Sequence, residues 1–468
     1  MHSTDADTLL QNLADYIAQE TSFSQQALQS ARLSLIDSLA CALMALKDPE
    51  CTKLLGPSVP GADFRKLGAK VLGTAYQLEP VQAAFSVSCM VRWLDFNDTW
   101  LAKEWCHPSD NLGAIWALGD YVSRVRLAQN KTPFKVKDIL NAMIKAYEVQ
   151  GGLALCFSLK DNGLDHTLLV RLASAGVGAW MLGGEKGEIL SALSHAFIDG
   201  GSLRLFRHAP FDGTRQAWAA ADASSRGVRL ALMALKGEAA CVKALSAPTW
   251  GFEAVCTQES LKITRPLSSY VVENVLYKIS YPVLLAIQTA VECALILHKE
   301  VSKKTKEVDQ ILWITQELTK QALEPKKAQE SLLYPVLYAL LYGHLDAHSC
   351  VQANKTDSRL NKWATCVKVQ TSPTYTKEAT EPSKRATANA LQVFFKDGTS
   401  TQKIEVKYPL GHRFRREEGL KALMQKCQNA LKEVYPLKKV TQIESLLSDQ
   451  ERLEDMDFSC FCDLLAFV

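Results

Sequence analysis

Two short stretches of this sequence hold most of the side chains that could move protons or bind anions. Trp93-Leu-Asp-Phe-Asn-Asp-Thr-Trp100, followed by Glu104-Trp-Cys-His-Pro-Ser-Asp-Asn111, gathers Asp95, Asp98, Thr99, His107, Ser109 and Asp110. His107 precedes a proline, which disfavours helical backbone and places it outside regular helix. An imidazole with an ordinary pKa near ~6.5 suits proton transfer at neutral pH. Ser109 and Asp110 have a plainer reading, as N-caps of a helix starting near Asn111. The second stretch, Leu203-Arg-Leu-Phe-Arg-His-Ala-Pro-Phe-Asp-Gly-Thr-Arg215, offers Arg204, Arg207, Arg215 and His208 in an irregular segment. Guanidinium groups bind carboxylates through paired donors, so this set suits a substrate with several carboxylates. A solvated basic loop is the plain alternative, and Phe206, Pro210 and Phe211 between the charges argue against simple exposure. Lys278, inside Tyr277-Lys-Ile-Ser-Tyr-Pro282, is a lone lysine at an inferred domain junction, where ligand clefts often lie. From residues alone the reading stops at an anion-binding enzyme with Asp/His acid–base chemistry.

The elements that must position these groups are mostly helices. From Leu28 to Leu46, Ala31, Leu35, Leu39 and Leu43 recur at every fourth position, with Ile36 on the same face. Similar periodicity marks 112–122, 136–149, 166–182, 188–198 and 217–235, separated by short Gly, Pro or Asn breaks. Past Lys278 the texture changes. One helical run, Val283 to His298, precedes Val308 to Thr315, which reads as a buried strand. Leu391 to Phe395 and Lys403 to Tyr408 flank Asp397-Gly398, which predicts a hairpin. Thr371 to Ser383 reads as an exposed loop, and helical periodicity returns over 418–434 and 445–465. The expected architecture is mainly α: a large all-helical domain built from both ends of the chain (1–276 and 411–468) and a smaller α+β lid domain (277–410).

At 468 residues the chain exceeds what one core usually holds, which supports two domains. Its 53 basic and 50 acidic residues leave a formal charge of +3, with no basic tract, so a nucleic-acid partner is not expected. Met1 to Ser22 carries Asp5, Asp7 and Glu20 and lacks the basic start and apolar run of a signal peptide. The longest apolar stretch, Val283 to Leu297, is too short for a membrane helix and contains Gln288 and Glu292. The 13 cysteines, odd in number and without framework spacing, fit reduced thiols in the cytoplasm. Cys460 and Cys462 have the wrong spacing for a zinc or redox site, so no metal is expected there.

Several long motifs carry a family resemblance. Asp95-Phe-Asn-Asp-Thr-Trp with His107-Pro-Ser-Asp-Asn, Gly163-Leu-Asp-His166, Phe206-Arg-His-Ala-Pro210, Trp218-Ala-Ala-Ala-Asp-Ala-Ser-Ser-Arg226 and Ala247-Pro-Thr-Trp-Gly-Phe252 resemble, in order, the 2-methylcitrate dehydratase (MmgE/PrpD) family. The likeness runs from about residue 30 to 282 and resumes at Gly411-His-Arg-Phe-Arg-Arg416. It implies dehydration of 2-methylcitrate to 2-methylaconitate in propionate catabolism, by a cytoplasmic homodimer without cofactor. The missing Cys-x-x-Cys agrees with chemistry that uses no iron–sulfur centre. By resemblance, Asp95, Thr99, His107, His166 and Lys278 match positions around the family's active site. His107 is expected to transfer the proton with Asp95 as its orienter or partner. Arg204, Arg207, Arg215 and Lys278 are expected to bind substrate carboxylates, with His166 and His208 on the substrate-binding side. Three places depart from the methylcitrate branch: Gln216 where Lys is expected, Ala286 where His is expected, and Lys327-Ala-Gln-Glu330 in place of an Asp-Arg-Asp-His type run. They keep open two alternatives: a dehydratase or decarboxylase acting on citrate or cis-aconitate, and a catalytically impaired homologue.

Overall fold

Where apolar residues recur every third or fourth position the chain is helical, as Gln25–Ala45, Pro80–Arg92, Leu112–Ala128, Val136–Cys156, Thr167–Met181, Lys186–Ile198 and Arg215–Ala234. The computed structural model describes residues 6–62, 67–208, 213–323, 326–346 and 357–467, with the side chains of the 326–346 span described from Leu332 onward. The fold is mainly α. It divides into two compact units, residues 1–275 with 424–468, and residues 276–423.

In the first unit the helices Pro80–Arg92, Leu112–Ala128, Thr167–Met181 and Arg215–Ala234 pack through small residues. A Cβ on Gly113 would sit 2.2 Å from the carbonyl oxygen of Ala84, so the helix that follows His107 lies against the helix that precedes Asp95 as closely as backbones allow. Gly151 has the same role at the next contact. A Cβ there would meet Val271 at 2.4 Å, and its carbonyl accepts the indole N–H of Trp100 at 3.0 Å. Gln25–Ala45 is buried on every face, including Asp37, so it is a central helix and not an amphipathic one. A two-stranded ribbon, β1 (Ala69–Lys70) and β2 (Gln77–Leu78), lies beside this core.

The second unit contains a four-stranded sheet in the order β4-β3-β5-β6, formed by β3 (Val308–Thr315), β4 (Val367–Thr371), β5 (Asn389–Phe395) and β6 (Ile404–Val406). The predicted buried strand is β3. It sits in the middle, parallel to β4 and antiparallel to β5, with Ile311 and Trp313 in the core. The predicted hairpin is β5–β6, which pairs Asn389 with Val406 and turns through Gly398 at φ 82°. Helices Gln288–Val301 and Lys326–Tyr342 cover the sheet core. The stretch 327–330 belongs to the second of these helices, and its side chains lie outside the described residues.

Three expectations need correction. Thr371 to Ser383 is not a loop: it contains the end of β4 and the helix Pro373–Thr380, capped by the Ser372 hydroxyl and anchored by buried Tyr375. The single run expected over 445–465 is three short helices, Leu437–Ser448, Gln450–Asp455 and Phe458–Leu465, the second capped by the Asp449 side chain and the third begun after extended backbone at Asp457. The run expected from Val283 begins as a 3-10 turn, Leu285–Ile287, with α-helix starting at Gln288.

Candidate active site

The site block is the crossing between Pro80–Arg92 and Leu112–Ala128. Trp100 and Cys106 close its loop with two backbone hydrogen bonds, of 2.8 and 3.2 Å. His107 is extended (φ −127°, ψ 95°), as a residue before proline should be, and a 3-10 turn, Pro108–Asn111, leads into the helix. Ser109 and Asp110 do not cap that helix. Both are fully buried and turn towards the loop. Ser109 donates to Asp98 Oδ1 through its N–H (3.1 Å) and its hydroxyl (2.7 Å), while Asn97 Nδ2 donates to Ser109 Oγ (2.8 Å) and Asp110 Oδ1 (3.1 Å). Burial pushes the Asp98 carboxyl up to about 7, against the lowering effect of the Ser109 and Tyr147 hydroxyls.

His107 Nδ1 lies 2.6 Å from the carbonyl oxygen of Asp98, with Thr99 Oγ1 at 3.5 Å. A carbonyl oxygen can only accept, so Nδ1 carries a proton and, in the neutral ring, Nε2 is the basic nitrogen. The His166 ring stands edge-on to this imidazole, with centroids 5.6 Å apart. His166 is buried at the start of Thr167–Met181, with Nδ1 3.5 Å from Asp165 Oδ1 and Nε2 3.8 Å from Asp110 Oδ2. The last two atoms are buried and make no hydrogen bond among the described residues.

Asp95 sits in the left-handed region (φ 47°), held by a 2.6 Å bond from Arg92 Nη1 and by its own N–H to the Arg92 carbonyl at 3.1 Å. Burial acts to lower the Arg92 guanidinium, but Asp95, then Asp110 and Asp165, raise it above its ordinary value. Arg92 is thus the buried counter-charge beneath the carboxylates of the site.

The arginine stretch is a 3-10 turn, Arg204–Arg207. Arg207 grips Asp165 with two donors, Nε to Oδ2 and Nη2 to Oδ1, the second at 3.0 Å. Arg204 Nη1 lies 3.4 Å from Glu104 Oε1 and 3.6 Å from Asp165 Oδ2. Glu104, also buried, accepts the N–H groups of Leu159 and Lys160 at 2.9 and 3.0 Å. Although burial acts to raise Asp165, the His166 charge and the Arg207 bonds hold it well below the usual carboxylate range. His208 is exposed at the end of the turn, and Ala209 to Asp212 lie outside the described residues. Arg215 begins the helix Arg215–Ala234 with its guanidinium 4.6 Å from the Trp218 ring centre and 5.4 Å from that of Phe206. No carboxylate among the described residues pairs with it. Gln216 is exposed. Lys278 and Ala286 belong to the second unit, where Lys278 is buried.

The structure therefore brings together Asp95, Thr99, His107, His166, Arg204 and Arg207 in one unit. Sequence reading missed Arg92, Glu104 and the weight carried by Asp165, because Glu104 and Asp165 pair with arginines distant in sequence and Arg92 counters the distant Asp110 and Asp165 as well as its neighbour Asp95. A buried Arg at the end of an apolar helix was the available signal for Arg92. Among the described residues no group of three or more His, Cys, Asp or Glu side chains has an arrangement able to hold a metal ion.

A model of the MmgE/PrpD N-terminal domain matches residues 11–264, and one of the MmgE/PrpD C-terminal domain matches residues 281–451. The 2-methylcitrate dehydratase of Escherichia coli K12 is 43% identical over 469 residues, covering 98% of this chain and 97% of its own. That of Cupriavidus necator is 43% identical, with 99% and 98% covered. The mitochondrial 2-methylcitrate dehydratase of Yarrowia lipolytica is 41% identical, with 98% and 90% covered.

Proposed function

The chain belongs to the MmgE/PrpD family, and on that premise we propose that it is a hydro-lyase removing water from 2-methylcitrate to give 2-methylaconitate. In this reaction a C–H bond beside a carboxylate and a C–O bond break and a C=C bond forms. The carbon-bound proton goes to a base, and the leaving hydroxyl takes a proton from an acid and departs as water. The observation that carries the chemistry is the tautomer of His107: with Nδ1 donating to the Asp98 carbonyl, the basic nitrogen of the neutral ring is Nε2. The identity to several 2-methylcitrate dehydratases over nearly the whole chain supports the choice of substrate.

Asp95 is proposed as the partner of His107 in proton transfer, with Thr99 beside them. Arg215, which has no carboxylate partner among the described residues, and Arg204, one-quarter exposed, supply positive charge for a tricarboxylate, with His166 and His208 on the same side. Lys278 enters on the family resemblance alone. The chemistry is proposed to need only these side chains and no metal or other cofactor. No helix among the described residues is long and apolar enough to cross a membrane, and a cytoplasmic location is proposed. A homodimer is proposed on the family resemblance, and Trp250, Leu203 and Leu205, 86, 71 and 73% exposed, are apolar side chains available to a second copy.

The test offers 2-methylcitrate, citrate and cis-aconitate separately to chelator-treated protein, following unsaturated product by ultraviolet absorbance and carbon dioxide for the last. Rapid turnover of 2-methylcitrate is expected. Preference for citrate or cis-aconitate would move the substrate within the family, and turnover restored only by added metal would remove metal independence. Folded protein that turns over none of them would mark an impaired homologue.

A further inference from the structure

The loop arginines invite a role as substrate ligands, yet one of them has its fork already filled. Asp165 is completely buried, and its two carboxylate oxygens accept from Nε and Nη2 of Arg207, the paired geometry an arginine would otherwise offer to a substrate carboxylate. The Phe206 ring lies 5.0 Å from the same guanidinium. Asp165 Oδ1 also accepts the N–H of Thr167 at 3.2 Å and lies 3.5 Å from Nδ1 of His166. The backbone is fixed as firmly: Asp165 N–H donates to the Ser202 carbonyl at 2.8 Å, Arg204 N–H to the Gly163 carbonyl at 2.9 Å, and Leu164 bridges to Leu203. The turn 203–207 is thus latched to the start of the helix that carries His166, and the latch ends on the imidazole facing His107.

We propose that Arg207 and Asp165 form a positioning pair that fixes the His166 ring against His107 and Asp110, and that Arg207 is not itself a substrate ligand. This rests on the reading that His166 lines the site for 2-methylcitrate. A His166 ring misplaced against His107 impairs the reacting geometry, while Arg204 and Arg215 retain most of the substrate binding, so the expected signature is a fall in kcat without a matching rise in KM.

The experiment compares Arg207→Met, Arg207→Lys and His166→Asn in 2-methylcitrate kinetics. It also records nitrogen-15 spectra of histidine-labelled protein without substrate, with the His166 signals assigned by their loss in His166→Asn. Arg207→Met is expected to lower kcat by about 10- to 100-fold with KM within about threefold, to shift the His166 ring signals, and to be partly rescued by Arg207→Lys. A KM rise above about tenfold with kcat preserved would make Arg207 a substrate ligand and overturn the proposal. So would His166 signals that do not move. If Arg207→Met does not fold, the same two readouts on Arg207→Lys decide. Full activity of His166→Asn would instead sink the placement of His166 in the site, while the spectra still report whether Arg207 holds the ring.

Discussion

His107 and Asp98 are joined through a ring nitrogen and a main-chain carbonyl, 2.6 Å apart, while the Asp98 side chain points the other way, into Ser109. The backbone fixes the tautomer, and the carboxylate fixes the backbone. Removing the imidazole should therefore remove proton transfer without disturbing the loop. His107→Ala is expected to lower kcat by about 100-fold or more while thermal melting stays within a few degrees of the parent. Turnover at the parental rate would take His107 out of the mechanism.

Asp95 tests the backbone itself. At φ 47° an ordinary L-residue is strained by about 1–2 kcal/mol, a cost that glycine avoids. Asp95→Gly and Asp95→Ala should both lose activity, with the glycine variant the more stable by about 1 kcal/mol in denaturant unfolding. Equal stability, or a more stable alanine variant, would contradict a left-handed residue at this position.

Asp98 makes a pH prediction. In the folded chain its carboxyl is pushed up to about 7 by burial, and in the unfolded chain it titrates near ~3.9. Between these values the folded state keeps a proton that the unfolded state has released. The contribution of this group is therefore full below about pH 4, falls as pH rises through 7, and stays lost above. Asp98→Asn keeps an acceptor for Ser109 and carries no charge. It should match the parent near pH 4 and melt several degrees higher near pH 8. A difference in melting temperature that is the same at both pH values would rule out Asp98 as the titrating group.

Lys426 carries a structural prediction. Its ammonium is buried among Asp37 Oδ1 at 2.7 Å, the Phe96 carbonyl at 2.9 Å and the Phe96 ring, whose centre lies 3.6 Å away. Burial acts to lower its pKa, and Asp37 more than offsets this and raises it. Lys426→Met strips this cation from a buried carboxylate and should cost about 3–5 kcal/mol, whereas the double variant Asp37→Leu with Lys426→Met should recover much of it. Calorimetry that finds the double variant no better than the single would show that the two charges are not coupled.

Much of this protein could be read locally. Helices follow from apolar spacing, β3 from Ile311, Trp313 and Thr315 alternating with Leu312 and Ile314, and the β5–β6 hairpin from Asp397-Gly398, because each signal is local and backbone preference decides it. The 95–110 block could be recognised because its groups are close in sequence. Thr371 to Ser383 misled because its polar composition hid a serine cap and a proline at the first helical turn, the ordinary start of a helix.

The sequence by itself thus determined the helical class, the family and which short segments hold the candidate groups. Only the tertiary structure decided what those groups do for one another. Asp165 meets Arg207 across 42 residues, Glu104 meets Arg204 across 100, and Asp37 meets Lys426 across 389. No spacing rule reaches so far, because pairing between distant residues is set by how helices pack. Burial then makes each pairing obligatory, since a charge removed from water must find its partner inside the fold.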